Sequence, residues 1–322
     1  MTDKAYVYDV LAMGRSSIDL YANEIGAPFT EVKSFSAYVG GSPTNICVAA
    51  RRLGLRAAML TAVGEDLVGD FVLNFLSREG ISAKFSPRKR GRRTSAFMLA
   101  IQPPDMFPIV PYRDNCADLE LTTEDVDRAP IADARSLLIT GSGLSRQPSR
   151  AATLHAAEVA RRHGNKVVLD LDLRAEVWPD TSAYTSAVRA ALQAVDVVIG
   201  TGDELRTACG GLRDPEEGAR VLLAGGPEAV IVKRSSASTL VFTRGGETIE
   251  AETYQVEVLN VLGAGDAFAG GFLYGYLKGW DWRKSALMGN ACGAIVVTRH
   301  GCANFMPYEE EALRFINERG GF

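Results

Sequence analysis

Short apolar runs alternate along this chain with stretches that have helical periodicity. In the clearest helix, residues 68–76, apolar side chains recur at i, i+3, i+4, i+7 and i+8. Strands that alternate with helices pair in parallel and are covered by helices on both faces. The alternation therefore predicts an α/β fold with a doubly wound, mostly parallel sheet flanked by helices. Strands are predicted over residues 57–63, 136–140, 166–172, 195–200, 229–233 and 239–243, and further helices over 149–163, 182–194 and 215–223.

Two segments lack this pattern. Residues 14–41 and 93–115 alternate polar and aromatic side chains without a helical period. We expect short strands there, outside the main sheet, that form a small lid over one of its edges. No repeat, low-complexity tract or long linker divides the chain, so residues 1–322 are interpreted as a single domain that carries this lid.

The charge balance, the apolar runs and the cysteines indicate which partners and which cellular compartment to expect. Lys and Arg number 35 and Asp and Glu 39, so the net charge of -4 argues against binding nucleic acid by bulk positive charge. No signal-peptide pattern opens the chain, and its apolar runs are too short to span a membrane. The five cysteines are widely spaced without a CxxC pair, which is typical of reduced thiols. We expect a cytoplasmic protein without nucleic-acid or membrane partners.

A glycine-rich turn precedes an apolar helix near the end of the chain. A strand is predicted to end near Val261, and Gly263, Ala264, Gly265 and Asp266 then lead into the helix. Small residues let successive backbone N–H groups converge at a helix N-terminus, where the helix dipole also favours an anion. A tight turn with a helix-stabilising aspartate is the simpler alternative. The chain has no G-x-x-x-x-G-K-[ST] motif, and this turn lacks the third glycine of a dinucleotide fingerprint, which disfavours both of those nucleotide-binding classes.

A second glycine motif, GGSPTN, lies near the start of the chain. Gly40 and Gly41 allow close approach of the backbone to a ligand, and Pro43 is typical of the first turn of a helix. Asn45 then lies in that first turn and offers both a donor and an acceptor to hydroxyl groups. The alternative is a glycine turn that caps the helix and leaves Asn45 in solvent.

The two motifs, in this order and about 220 residues apart, resemble the signature motifs of the ribokinase-like (PfkB) carbohydrate kinase family. The resemblance implies that Asp266 is the catalytic base, which accepts the proton of a primary sugar hydroxyl. It also implies that the turn that begins at Gly263 is catalytic, with the N–H groups of Ala264, Gly265 and Asp266 forming an anion hole for the transferred phosphoryl group. The residues implied to bind the sugar are Asp19, Gly40, Gly41 and Asn45.

The same resemblance implies ATP and Mg²⁺ as cofactors. Thr201 and Glu204 stand where the family has N-x-x-E, and Glu204 matches the acidic residue tied to Mg²⁺ through water. Lys233 ends a predicted strand where the nucleotide loop begins, and it is implied to supply positive charge to the phosphates. A solvated lysine at the end of a strand is the alternative.

Three further residues are implied to contact the nucleotide. Ser235 and Ser238 stand where the family loop has glycines, and Asn290 resembles a residue near the adenine pocket. The family often has D-T-T before GAGD, where this chain has Asn260, Val261 and Leu262, so a requirement for K⁺ stays open.

Finer features resemble the branch of the family that phosphorylates the sugar acid 5-dehydro-2-deoxygluconate at its 6-hydroxyl in inositol catabolism. These features include the segments 112–118 and 170–174. A carboxylate substrate needs a cationic partner, and we expect Arg174, just after a predicted strand, and Arg113, in the lid, to supply it. A 2-dehydro-3-deoxygluconokinase, a fructokinase-like enzyme and a non-catalytic sugar sensor are the alternatives. The resemblance also implies a homodimer formed through the lid.

Overall fold

The computed structural model describes residues 5–103, 106–212, 214–234 and 237–322. Two layers of helices cover a large sheet, and a smaller sheet lies at one of its edges. The strands are β1 (Tyr8–Met13), β2 (Ser17–Ala22), β3 (Phe35–Gly40), β4 (Ala57–Leu60), β5 (Val63–Gly64), β6 (Arg88–Lys89), β7 (Ser95–Leu99), β8 (Ile109–Tyr112), β9 (Ala134–Thr140), β10 (Lys166–Asp170), β11 (Val197–Thr201), β12 (Ala229–Lys233), β13 (Ser238–Thr243) and β14 (Thr248–Glu252). The α-helices are α1 (Ser42–Arg52), α2 (Leu67–Arg78), α3 (Thr123–Asp127), α4 (Ser149–Arg162), α5 (Thr181–Leu192), α6 (Gly202–Ala208), α7 (Pro215–Ala224), α8 (Ala264–Leu277), α9 (Trp282–Val296) and α10 (Glu309–Asn317).

Within the described residues, the main sheet has the strand order β14-β13-β12-β11-β10-β9-β1-β4. The strands from β4 to β12 in this order pair in parallel, and β13 and β14 add an antiparallel edge. This architecture confirms the predicted doubly wound, mostly parallel sheet. Because the strands are parallel, β1, β9, β10, β11 and β12 all end at one edge, where open α/β sheets bind their ligands.

Alternate side chains along each strand of the main sheet point to opposite faces and pack into two separate hydrophobic cores. In β1, Val10 and Ala12 belong to the core that α1, α8 and α9 cover. Leu11 and Met13 point to the opposite face, into the core that α4 and α5 cover. Both faces of the strand are therefore buried, as the nearly continuous apolar strands require.

The smaller sheet has the order β3-β2-β7-β8 within the described residues. Its strands lie inside the two segments for which the sequence predicts strands outside the main sheet. Only residues 14–16 separate β2 from the end of β1, so this sheet stands directly above the ligand edge of the main sheet. We call these four strands the lid sheet.

One predicted strand is wrong. Residues 253–263 form no strand, although we expected one to end near Val261. The backbone N–H groups of Leu259 and Asn260 both donate to the carbonyl oxygen of Val297, just after α9. This bonding ties the segment to the end of a helix and leaves β14 as the sheet edge. No helix in the described part of the chain is long and apolar enough to cross a membrane.

Candidate active site

A cavity of about 290 Å³ lies between the carboxyl edge of the main sheet and the lid sheet. Its walls come from the β1–β2 connection, the N-terminus of α1, the lid sheet, the loop after β10 and the start of α8. The predicted site residues that line it are Asp19, Gly41, Asn45, Arg113, Arg174, Gly263 and Asp266. The structure thus brings together both glycine motifs and both predicted arginines.

Asp266 lies in the first turn of α8, buried at the inner end of this cavity. Its Oδ1 accepts a hydrogen bond from Ser42 Oγ at 2.8 Å, and its Oδ2 accepts one from Asn45 Nδ2 at 2.7 Å. Burial raises the pKa of Asp266 and the negative charge of Asp172 raises it further, while the bonds from Asn45 and Ser42 oppose this. The two donors fix the direction of the carboxylate, which is what a general base requires.

Asn45 has a second polar side-chain atom besides the Nδ2 that binds Asp266. Its Oδ1 is buried and has no hydrogen-bond partner within the described residues. Because a buried acceptor is costly when unpaired, a donor such as a sugar hydroxyl fits there. This agrees with the sugar-binding role that the resemblance implies for Asn45.

The two glycines of GGSPTN make room for protein groups. A side chain at Gly40 would overlap the Asp19 carboxylate, and one at Gly41 would overlap the carbonyl oxygen of Arg15. Gly41 also has a φ of +102°, which L side chains rarely adopt. The motif therefore lets the β1–β2 connection pack against the start of α1. Asp19 is held there by a 2.7 Å hydrogen bond from Ser17 Oγ, and burial raises its pKa.

The turn before α8 has the shape expected of an anion hole. Gly263 is left-handed with φ 85°, and a side chain on it would meet Cys302 Sγ at 2.7 Å. A Cβ at Gly265 would lie 3.0 Å from Lys233 Nζ. The N–H of Ala264 donates to the carbonyl oxygen of Val261 at 3.3 Å. The following N–H groups in the first turn of α8 stand beside the mostly buried ammonium group of Lys233, and both favour an anion.

Lys233 links this turn to the ends of the neighbouring strands. Its Nζ lies 3.6 Å from Asp170 Oδ2 at the end of β10. Burial lowers the pKa of Lys233, but the charges of Asp170, Glu204 and Asp266 outweigh it, so the pKa lies above its ordinary value. The lysine is therefore a mostly buried cation beside the turn that precedes α8.

Glu204 and Thr201 form a reciprocal cap at the start of α6. Thr201 Oγ1 accepts from the Glu204 N–H at 3.3 Å, and Glu204 Oε2 accepts from the Thr201 N–H at 2.7 Å. Glu204 Oε1 also accepts from the Leu173 N–H at 3.0 Å. Glu204 thereby ties α6 to the loop that carries Arg174.

Two further predicted nucleotide contacts, Ser238 and Asn290, do not line the cavity. Ser238 Oγ donates to Glu250 Oε1 at 2.7 Å, within the β13–β14 pair. Asn290 Oδ1 accepts from Thr239 Oγ1 at 2.8 Å, and its Nδ2 donates to the carbonyl oxygen of Glu252 at 2.8 Å. Asn290 therefore joins α9 to β13 and β14. Ser235 lies outside the described residues, and the nucleotide roles of all three stay predictions.

Three polar residues of the site were missed from the sequence. Ser42 stands one turn before Asn45 at the same helix end, so its place in the GGSPTN motif could have predicted it. Asp170 and Arg15 follow the rule that located Arg174, a polar residue at or just after the end of a buried parallel strand. Arg15 was not predicted because it follows β1, and β1 was not among the predicted strands.

The residues present fit phosphate groups and Mg²⁺. Mg²⁺ usually binds through one or two carboxylates together with waters and phosphates. Asp170 Oδ2 is buried without a hydrogen bond among the described residues, and Glu204 lies near enough for its charge to raise the pKa of Asp170, together with burial. The described residues hold no cluster of three or more His, Cys, Asp or Glu that could bind a metal alone. Asp170 and Glu204 would therefore share the ion with the phosphates.

Comparison with known proteins shows the family to which the chain belongs. The model of the pfkB family carbohydrate kinases matches residues 8–309. A fructokinase from Xylella fastidiosa with bound ATP is 26% identical, with a TM-score of 0.85 and coverage of 97% of this chain and 99% of that chain. A fructokinase variant from Vibrio cholerae O395, solved with fructose, ADP and a potassium ion, is 26% identical, with a TM-score of 0.84 and the same coverage of each chain.

The chain belongs to the pfkB family of carbohydrate kinases, and it is a phosphotransferase that acts on a sugar hydroxyl. Within this family it is similar to the 5-dehydro-2-deoxygluconokinase of Geobacillus kaustophilus. The two are 35% identical over 320 residues, which cover 98% of this chain and 96% of the relative.

Proposed function

We propose that this protein transfers the γ-phosphoryl group of ATP to the 6-hydroxyl of 5-dehydro-2-deoxygluconate, a sugar acid. The observation that carries the proposal is the content of the cavity. Two buried carboxylates, Asp19 and Asp266, line it together with three arginines, Arg15, Arg113 and Arg174. Ser42 and Asn45 fix the direction of Asp266. This combination provides a base for a hydroxyl and cations for a carboxylate.

The reaction follows from these positions. Asp266 accepts the proton of the sugar hydroxyl while that oxygen forms a bond to the γ-phosphorus and the bond to the β-phosphate oxygen breaks, releasing ADP. The N–H groups at the start of α8 and the ammonium of Lys233 offset the charge on the transferred group. The transition state of such a transfer is loose, so positioning and electrostatics supply most of the catalysis.

ATP and Mg²⁺ are part of the proposal. Mg²⁺ supplies positive charge that neutralises the phosphates when it is bound. Asp170 and Glu204 would hold it, and Lys233, beside them, would hold the phosphates. Thr201 acts through Glu204, whose carboxylate it orients.

We propose that the lid sheet closes the cavity and pairs with a second copy of the chain. Phe97 and Leu99 of β7 and Ile109 and Pro111 of β8 line the cavity. Closure there would exclude water and limit wasteful hydrolysis of ATP. The edge strand β8 also exposes apolar surface, with Tyr112 57% exposed, which suits a homodimer through the lid.

A substrate panel tests the proposed function. Purified protein is incubated with Mg-ATP and 5-dehydro-2-deoxygluconate, 2-dehydro-3-deoxygluconate, fructose or ribose, and both ADP and the phosphorylated carbon are measured. We expect the highest kcat/KM for 5-dehydro-2-deoxygluconate, with phosphate on the 6-oxygen. Turnover confined to fructose or ribose would refute the proposal. Tight binding of a sugar without any turnover would identify a sensor.

The same assay measures the dependence on K⁺. Asn260 Oδ1 accepts from the Leu262 N–H at 3.0 Å, and Asn260 Nδ2 is buried without a partner within the described residues. The segment before the anion hole is thus ordered by protein bonds. Rates in potassium and in tetramethylammonium buffers of equal ionic strength are compared, and a higher rate in potassium alone shows that the cation is required.

A further inference from the structure

Two of the three arginines in the cavity already have carboxylate partners. Arg113 donates to Asp118 Oδ2 through Nε at 3.1 Å and through Nη2 at 2.5 Å. Arg174 donates to Asp172 Oδ1 through Nε at 3.0 Å. Each of these pairs neutralises a charge within the protein.

Arg15 has no such partner. Its side chain is 6% exposed, and it forms no ion pair among the described residues. The hydrogen bond of its side chain runs from Nη1 to the neutral Ser17 Oγ, at 3.4 Å. The charges of Asp172 and Asp19 reach Arg15, but neither carboxylate forms an ion pair with it in the described part of the chain. A buried charge without a direct partner is costly, so an anion from outside the protein is favoured beside it.

The surroundings hold Arg15 ready for a ligand. Its guanidinium lies over the ring of Phe97 in β7, 4.3 Å from the ring centre. Its backbone is fixed as well, since its carbonyl oxygen accepts from Thr44 Oγ1 at 3.0 Å and packs where Gly41 has no side chain. The flat group is thus fixed from both ends before any substrate arrives.

A second cation lies close to Arg15. Burial lowers the pKa of Arg15 and the positive charge of Arg113 lowers it further, and these effects outweigh the opposing charges of Asp172 and Asp19. Two neighbouring guanidinium groups, one of them without a carboxylate partner, repel each other until an anion lies between them. A carboxylate matches the forked donors of both.

We propose that Arg15 is the residue that binds the carboxylate of the substrate, with Arg113 as the second cation held in place by Asp118. This inference rests on the proposed function, because it assumes that the substrate is a sugar acid. It places the carboxylate at the Phe97 side of the cavity and the reacting hydroxyl at Asp266.

Arg174 then lies at the other end of the cavity, where the sugar hydroxyl reacts. The charges of Asp172, Asp266 and Glu204 raise the pKa of Arg174, so it faces the carboxylates of the catalytic centre. In that position it can contact the transferred phosphoryl group. The sequence had assigned Arg174 and Arg113, but not Arg15, to the carboxylate.

The experiment compares one sugar acid with its uncharged counterpart. KM and kcat are measured for 5-dehydro-2-deoxygluconate and for its C1 carboxamide, which has nearly the same shape without the charge. We expect Arg15→Gln to raise KM for the acid about a hundredfold at nearly unchanged kcat, and to change KM for the amide little, because the lost interaction involves the carboxylate. We expect Arg174→Gln to lower kcat for both.

The control is Arg93→Gln, which removes an exposed arginine that does not line the cavity. It is expected to match the wild type with both compounds. The inference would be overturned if Arg15→Gln raised KM equally for the acid and the amide. It would also be overturned if Arg174→Gln, and not Arg15→Gln, raised KM for the acid alone. Neither result touches the proposed function, which fails only if the wild type does not phosphorylate the acid.

A second variant covers the case in which Arg15→Gln does not fold. Arg15→Lys keeps the charge but loses the forked donors and the flat contact with Phe97. We expect an intermediate rise in KM for the acid alone, and weaker binding of the acid by calorimetry without nucleotide. If a folded Arg15→Lys variant bound the acid with wild-type affinity, the forked donors of the guanidinium group would have no role. If it bound the amide as weakly as the acid, the role of Arg15 would be structural.

Discussion

At the scale of single residues, the site works by fixing charges that the protein does not fully neutralise. Asp266 is held by two neutral donors, Ser42 and Asn45, and not by a cation. Its carboxylate therefore stays basic enough to accept a proton while its direction is set. An ion pair in place of these donors would have lowered its pKa and weakened it as a base.

We expect Asp266→Asn to lower kcat by about a thousandfold or more while the affinity for the sugar changes little, because the proton is accepted only in the transition state. The variant Asp214→Asn makes the same chemical change at an exposed helix cap, where asparagine serves equally well. Steady-state kinetics and calorimetric titration of the sugar acid measure the two effects. A kcat within tenfold of the wild type would refute the assignment of the base.

The pH dependence follows from the same carboxylate. Burial and Asp172 raise the pKa of Asp266, and the base must be ionised to act. Activity is therefore expected to fall as the pH falls through this raised pKa, at a higher pH than for an ordinary aspartate. The pH profile of kcat/KM measures this. An acidic limb at or below the ordinary aspartate value would contradict the environment described for Asp266.

Much of the site could be predicted from the sequence, because residues in contact with the reacting groups stand in short motifs. Asp266, Asn45 and Asp19 were found in this way. Arg15 was not, since its role depends on which carboxylates lie nearby. Asp118 pairs with Arg113 and Asp172 with Arg174, whereas no carboxylate among the described residues forms an ion pair with Arg15. This difference depends on packing between segments that are far apart in the chain.

At the scale of the elements, the ends of strands and helices place the site. Gly41 ends the β3–α1 connection, with φ +102°, against the backbone of the β1–β2 connection. The glycine pair therefore determines how closely the lid sheet approaches α1. The motif was predicted to bring backbone close to a ligand, and the structure shows that it also brings two protein segments together.

We expect Gly41→Ala to lower the free energy of unfolding by about 3 kcal/mol or more, because it combines a left-handed backbone with an overlap on the Arg15 carbonyl oxygen. Gly91→Ala is the matched control, with φ +74° and nothing within 4 Å of the added methyl group. It is expected to cost about 1 kcal/mol. Urea unfolding of both variants gives the difference, and equal losses would show that the overlap has no effect.

The whole molecule joins a large sheet, covered on both faces, to the lid sheet, whose outer strand β8 pairs only with β7 among the described residues. The alternation of strands and helices predicted the main sheet, because burial on both faces leaves a strong apolar signal. The sequence pattern did not predict β1, and the strand predicted to end near Val261 does not form. Short segments at the ends of the chain take their structure from neighbours that sequence periodicity does not record.

The exposed face of β8 leads to the last prediction. Val110 and Tyr112 are 36% and 57% exposed on this edge strand, where a second copy of the lid sheet could cover them. We expect the wild type to have twice the chain mass of 34.6 kDa in solution, by light scattering. The double variant Val110→Lys and Tyr112→Lys is expected to be monomeric, because charges would be buried without partners. Val221→Lys, at an equally exposed valine on α7, is expected to leave the dimer intact. A monomeric wild type, or a dimer unaffected by the double variant, would show that the lid sheets do not pair.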